Sequence, residues 1–301
     1  MYNRECIIYL YEEIGIGRRK LYRLIQLNHD VLIEAIINQH PSVLSVLTTK
    51  QCQHMTNQIK NGFKTFMKQL SNRTCKTWTI LDQDYPHVFR TIPDPPVVLY
   101  GLGKERLLRH VNRISVIGSR KPTIHTERRM QQLLLPIVKD FVIVSGLAKG
   151  IDGFAHQLAV DAGGKTIAII GSGFSYPYPY ENRALFHELA THHLILSEYP
   201  PETKPARFHF PERNRLISAL GFGTLIIEAR QKSGTMITAD QALEQGRIVM
   251  ALPGDILNPN TVGCHTLIQQ GAKLVQNTQD IVEEWLENKL NWEIINQNSK
   301  R

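Results

Sequence analysis

Residues 113–153, RISVIGSRKPTIHTERRMQQLLLPIVKDFVIVSGLAKGIDG, decide the fold. Ile114 to Ile117 is a short apolar run that ends in Gly118-Ser119-Arg120. A helical stretch around Met130 to Val138 follows, and a second run, Phe141 to Val144, ends in another small-residue turn, Ser145 to Gly153. Apolar runs of this length, separated by helices and closed by glycine turns, are the pattern of parallel strands buried on both faces.

The pattern continues outward. Beyond the helix Phe154 to Asp161, the run Thr166 to Ile170 ends in Gly171-Ser172-Gly173. The helix Ala184 to Thr191 leads to Leu194-Ile195-Leu196, and further runs fall at Thr224 to Ile227 and at Ile248 to Leu252, which ends in Pro253-Gly254. A helix around Leu267-Ile268, a short strand at Lys273 to Val275 and a helix at Ile281 to Leu290 complete the series. The fold class expected is α/β, a doubly wound, mostly parallel sheet. In such sheets ligands bind outside the carboxyl ends of the strands, where strand order reverses. The small turns GSR, SGLAKGIDG, GSG and PG should therefore line one edge, and that edge is the expected site.

Residues 1–75 read differently. Apolar positions recur at helical spacing in Ile7, Leu10, Tyr11 and Ile14, in Leu21, Leu24 and Ile25, and in Leu32, Ile33, Ile36 and Ile37. The turn Ile14-Gly15-Ile16-Gly17, followed by Arg18-Arg19-Lys20, resembles the hairpin of helix-hairpin-helix modules, whose glycines admit a phosphate to backbone amides. Its plainer reading is a tight interhelical turn with a solvated basic flank. The expected organisation is a helical domain over 1–75, a proline-rich linker and lead-in strand over 76–110, a Rossmann-like domain over 111–280, and a C-terminal helix and tail over 281–301 with no winged helix.

The 301-residue chain carries 35 Lys and Arg against 27 Asp and Glu, a net charge of +8. Residues 1–75 hold ten basic against five acidic residues, so the helical part is the most basic per residue. Such a balance favours a polyanionic partner. No run of 18 apolar residues exists, and the N-terminal segment carries Glu12 and Glu13 where a signal peptide would be apolar. Cys6, Cys52, Cys75 and Cys264 form no C-x-x-C pair. A reduced, cytoplasmic setting is expected, with no membrane, no metal and no cofactor.

The stretch Arg207 to Gly246 supplies the other wall of the expected site. Phe208 and Phe210 precede Pro211, which suits a first helical turn, and Glu212, Arg213, Asn214 and Arg215 follow. After the run Thr224 to Ile227 comes the polar turn Lys232-Ser233-Gly234-Thr235. A dinucleotide cofactor fits poorly: Gly118-Ser119-Arg120 is not G-x-G-x-x-G, and Pro177 and Pro179 follow Gly171-Ser172-Gly173 where a helix should begin. Arg120, Lys149, Arg213 and Arg215 instead suggest several phosphates along a strand, each contact releasing counterions. Phe208 and Phe210 suit base stacking or, equally, loop packing. For catalysis, Asp152, Glu198 and Glu228 sit near strand ends, but no Ser-His-Asp order or metal-ligand cluster accompanies them. Asp152 is expected to cap the helix that follows it.

The motifs GSRKPT, SGLAKGIDGFAH, IAIIGSGFSYPYPYENRALF, SEYPPETKPARFHFPERNRLISAL, GTLIIEARQKSGTMITADQALEQGR, ALPG and GCHTLIQQGAKLV together resemble the DNA-processing protein DprA (Smf) family, over about residues 76–280. The resemblance implies an extended Rossmann-like fold and a non-enzymatic protein that binds single-stranded DNA, forms homodimers and loads the RecA recombinase in natural transformation. It implies phosphate contacts from Arg120, Arg213 and Arg215, and a groove lined by Gly146, Lys149 and Gly150. Ser119, Phe208, Phe210, Asn214, Ser233 and Gly234 complete the expected DNA-binding set, and Met236, Ile256 and Leu257 the expected dimer surface. The run Gly223 to Glu228 also resembles the G-G-x-G-T-x-x-E loop of LOG-type nucleotide phosphoribohydrolases, the alternative function. Here Leu220-Gly221-Phe222 replaces the paired glycines, and Phe222 is expected to crowd a phosphate cradle.

Overall fold

The computed structural model describes residues 3–27 and 32–297, so the last four residues of the expected C-terminal tail lie outside the described residues. The chain divides into two compact units, one of residues 1–85 and 94–100 and the other of residues 86–93 and 101–301. Residues 76–85 and 94–100, read from sequence as linker and lead-in, thus belong with the helical unit.

In the first unit the helices are α1 (Asn3–Glu12), α2 (Arg18–Leu27), α3 (Leu32–Ile37), α4 (Pro41–Leu44) and α5 (Thr49–Ser71), followed by strand β1 (Lys76–Thr79). The long helix α5 starts from a reciprocal capping box: Thr48 Oγ1 accepts from the Gln51 amide, and Gln51 Oε1 accepts from the Thr48 amide at 2.9 Å. It buries Cys52, Met55, Ile59 and Phe66. Tyr9 of α1 packs edge-on against Phe63 and Phe66 of α5, at 5.4 and 5.2 Å between ring centroids. Arg18, in the basic flank of the glycine turn, is committed to Asp94, with Nη2 to Oδ2 at 2.7 Å.

In the second unit, after helix α6 (His87–Arg90) and the end of strand β2 (Val98–Gly103), come β3 (Arg113–Ile117), α7 (Thr126–Leu134), β4 (Val142–Ser145), α8 (Ile151–Asp161) and β5 (Lys165–Ile170). They are followed by α9 (Arg183–His192), β6 (Leu194–Ser197), α10 (His209–Leu220), β7 (Gly223–Ile226) and α11 (Gly234–Glu244). The last elements are β8 (Ile248–Ala251), α12 (Val262–Gln269), β9 (Lys273–Leu274) and α13 (Thr278–Gln297). Seven strands run in the order β6-β5-β4-β3-β7-β8-β9. Each neighbouring pair is parallel, for example Ile114 beside Ile143 and Val116 beside Leu225. The helix expected at Met130 to Val138 lies earlier, ending at Leu134, because Pro136 cannot continue it.

The continuous apolar runs are explained by burial on both faces: every residue of β3, β4, β6 and β7 is buried. The chain winds from β3 through β4 and β5 to β6, then returns across α10 to β7 on the other side of β3. Strand order therefore reverses between β3 and β7, which opens a crevice at their carboxyl ends. At the opposite end of β3, Arg113 is fully buried. Its Nε donates to Leu220 O at 2.8 Å, and its guanidinium lies 5.4 Å from the Trp292 ring centre of α13. Burial and the nearby Arg247 charge lower its pKa to about 9.

Candidate nucleic-acid interface

The crevice between β3 and β7 is a cleft of about 520 Å³. Its wall on one side is the turn after β3, residues 117–121, and on the other the turn from Arg230 to the start of α11 at Gly234-Thr235. Asn214 of α10 and Asp152 of α8 reach the same space. Of the residues expected at the site, Ser119, Arg120, Arg213, Asn214, Ser233 and Gly234 are brought together here.

Arg120 is exposed, with its guanidinium 5.5 Å from the Phe210 ring centre. A ring face holds the planar cation in place while leaving its N–H fork free for a phosphate. Phe210 itself is fixed by Tyr178, at 5.6 Å between ring centroids, and by close packing on Gly171. It is thus a packed platform, while Phe208 is 66% exposed and available for stacking. Across the cleft, Ser233 precedes α11 without any side-chain cap on that helix. The Met236 amide donates to Ser233 O at 3.1 Å, which leaves the Gly234 and Thr235 amides at the positive end of the helix dipole, the arrangement that favours anions.

The turn after β4 is shaped by its glycines. Gly150 has φ +73°, and a Cβ there would lie 2.5 Å from Ser119 O, so only glycine lets this turn pack against the Arg120 turn. A Cβ on Gly146 would lie 2.6 Å from both Arg213 Nη1 and Asp152 Oδ2. Lys149 of this turn does not line the cleft; it is ion-paired with Glu181 at the surface.

Two expected phosphate contacts are corrected. Arg213 is only 4% exposed: its Nη1 donates to Gly146 O and Ile169 O, and its Nε donates to Asn214 Oδ1 at 3.2 Å. Burial lowers its pKa to about 10, against the opposing pull of Asp152. Arg215 is buried as well, paired with Glu198 at 2.8 Å and donating to Glu212 O at 2.8 Å. Helix α10 turns these two side chains inward, where Nε and Nη1 of Arg213 and both terminal nitrogens of Arg215 meet protein acceptors. They hold the turns in place, and Arg213 reaches the cleft only at its floor.

Asp152 is also corrected. The residue preceding α8 is Gly150, and the Asp152 carboxylate reaches back to accept from the Gly146 amide at 3.2 Å. Burial raises its pKa, although Arg213 and the amides of Ala148 and Gly146 pull it down. Phe222 does not crowd any cradle: it lies at the amino end of β7, opposite the cleft, packed on Phe141 and Trp285 at 6.0 and 5.2 Å between centroids. Glu228 is fully buried and accepts from the Thr123 amide at 3.1 Å, Thr123 Oγ1 at 2.5 Å and Thr126 Oγ1 at 2.5 Å. It ties the turn before α7 to the end of β7.

Sequence reasoning missed Arg230 and Lys121. Arg230 is exposed in the cleft, and its Nε donates to Asn260 Oδ1 at 2.7 Å, while Asn260 Nδ2 donates to Lys121 O at 2.9 Å. Asn260 thereby links the two walls. The signal was available: Arg230 follows the β7 run just as Arg120 follows that of β3, and β3 and β7 are adjacent. Ile256 and Leu257 are 81% and 86% exposed, and Met236 is half-buried. Among the described residues no group of three His, Cys, Asp or Glu is placed to hold a metal ion, and no helix is long and apolar enough to cross a membrane.

The sequence matches the family model of DNA recombination-mediator protein A over residues 76–286. The chain belongs to this family. It is 46% identical over 209 residues to DNA processing protein DprA of Bacillus subtilis strain 168, covering 69% of this chain and 70% of that one. To the DprA of Streptococcus pneumoniae strain R6 it is 36% identical over 280 residues, covering 92% and 97%. The X-ray structure of Streptococcus pneumoniae DprA superposes with a TM-score of 0.86, covering 94% of this chain and 99% of that one at 36% identity. DNA processing protein A of Helicobacter pylori, whose structure was described for its single-stranded DNA binding mode, gives a TM-score of 0.65 at 31% identity, covering 72% and 98%. The DprA family thus embraces the cleft and every element around it.

Proposed function

We propose that this member of the DprA family binds single-stranded DNA along the cleft at the β3–β7 switch point, protects it, and loads RecA recombinase onto it during natural transformation. Arg120 carries this reading: an exposed guanidinium, steadied on Phe210, stands at the mouth of a cleft whose far wall offers Arg230 and the Gly234 and Thr235 amides of α11. Phe208 stacks on a base beside it, and the protein works without catalysis, in the cytoplasm, as a homodimer that uses the surface around Met236, Ile256 and Leu257. The single-stranded DNA binding mode described for the Helicobacter pylori relative supports the choice of ligand. The phosphoribohydrolase alternative needs Glu228 beside a substrate, and its carboxylate is sealed among Thr123 and Thr126.

Fluorescence anisotropy with labelled oligothymidylate tests the proposal. Loss of one charge-assisted phosphate contact costs about 1.5–3 kcal/mol. Arg120→Ala should therefore weaken binding by about ten- to a hundredfold and make the log–log salt dependence shallower by about 0.7. Unchanged affinity in Arg120→Ala with an unchanged salt slope moves the DNA elsewhere. RecA loading is read separately, as faster filament nucleation on DNA coated with single-strand-binding protein; no acceleration removes that part of the proposal.

A further inference from the structure

Helix α5 of the first unit has no part in the cleft, and the family match begins at residue 76, after the helix ends. Its 23 residues include Lys50, Lys60, Lys64 and Lys68 and no Asp or Glu. Lys60, Lys64 and Lys68 recur at four-residue spacing and are all exposed. None of them makes an ion pair among the described residues. At 100° per residue they fall on the side of α5 opposite Cys52, Met55, Ile59 and Phe66, which face the core of the unit.

Such a row carries a cost to folding. Like charges at i,i+4 repel, and nothing acidic on the helix relieves them. A ligand relieves the repulsion if it brings its own negative charges in a row. The three ammonium groups are carried at steps of about 6 Å along the axis, close to the step between successive phosphates of a nucleic-acid strand. Between and beside them stand Asn57, Asn61, Thr65 and Gln69, short polar side chains that donate to phosphate oxygens and sugars. A lipid surface would require apolar anchors beside the lysines. Among the described residues, the large exposed apolar side chains of this unit, Leu27 and Leu44, are not on α5.

We propose that the Lys60-Lys64-Lys68 face of α5 is a second nucleic-acid surface, which grips the phosphodiester backbone independently of the cleft. The chemistry recognised is the phosphate row, which either a single strand or a duplex supplies.

The test uses the full chain with the triple variant Lys60→Ala, Lys64→Ala, Lys68→Ala. Alanine is the best helix former and the sites are exposed, so the fold should persist. Anisotropy is measured against salt with three probes: a short oligothymidylate that fills only the cleft, a long one, and a duplex. The expected result is unchanged affinity for the short probe. For the long strand or the duplex, affinity should drop at least about tenfold, with a salt dependence shallower by about 2 for single strands or nearly 3 for duplex. Whichever long probe shows the loss identifies the source of the phosphates, and the triple arginine variant should bind like the parent. Unchanged affinity and slope on both long probes overturns the proposal, as does equal loss on the short one. It is likewise overturned, in favour of a membrane, if phosphatidylserine vesicles bind the parent and not the variant while DNA binding is unaltered. Failure of the cleft itself shows separately, as an Arg120→Ala protein with full affinity for the short probe.

Discussion

Replacing Arg213 by alanine should unfold the protein more than it weakens DNA binding. The side chain is 4% exposed and donates to the carbonyls of Gly146 and Ile169, across Gly146 from the buried Asp152 carboxylate. Removal takes the Arg213 donor from two buried carbonyls and leaves the Asp152 carboxylate without the strongest of its neighbouring positive charges. Breaking a buried charged arrangement from one side costs about 3–5 kcal/mol. In a domain of this size each kcal/mol lowers the melting temperature by about 2–4 °C, so a fall of about 10 °C is expected. The loss should also depend on pH. Burial already raises the Asp152 pKa, and loss of Arg213 raises it further. A carboxyl whose folded pKa exceeds its unfolded value of 3.8 binds more protons in the folded state between the two values, so stability falls as pH rises through that window. The deficit of Arg213→Ala should therefore be full at neutral pH and shrink on acidification towards the usual carboxylate range. Urea unfolding of both proteins across pH measures it, and anisotropy on the folded variant at low temperature measures binding. A variant as stable as the parent that has lost DNA affinity would refute the reasoning and return Arg213 to the phosphate-contacting role expected from sequence.

Gly150→Ala forces a side chain into a backbone with φ +73°, 2.5 Å from Ser119 O. It should cost about 1–3 kcal/mol and weaken DNA binding with Arg120 intact, because the two turns separate; wild-type melting and affinity together would count against it. Glu228→Ala removes the acceptor of Thr123 and Thr126 and should destabilise by about 3 kcal/mol by thermal denaturation. A wild-type protein that releases ribose phosphate from nucleoside monophosphates, with that activity lost in an equally stable Glu228→Ala, would restore the hydrolase reading. Burial, with the charges of His193 and Arg213, lowers the His156 pKa from 6.5 to about 3. The unfolded state then takes up a proton that the folded state refuses, so this residue withdraws stability as pH falls from 6.5 towards 3. An NMR titration should find the His156 ring neutral down to about pH 4, and a midpoint near 6 would be the contrary result.

The alternation of apolar runs and helices was enough, by itself, to determine a doubly wound parallel sheet, because strands buried on both faces must be apolar throughout. The same pattern pointed to the candidate cleft: an edge at the carboxyl ends of the strands follows from βαβ winding alone, and the glycine turns after β3 and β4 marked where backbones approach closely. Side-chain direction is another matter. Arg120, Arg213 and Arg215 look alike in sequence, yet Arg120 leaves a strand end towards solvent, while α10 buries the other two. Which face of α10 meets β3, β4 and β5 depends on the packing of the whole sheet, and periodicity within Arg213-Asn214-Arg215 is too short to reveal it. Arg230 was overlooked for the converse reason: its partner Asn260 is thirty residues away, and only the adjacency of β3 and β7 brings both beside Lys121. Local sequence set the elements and their turns; the tertiary structure decided which charges remain free.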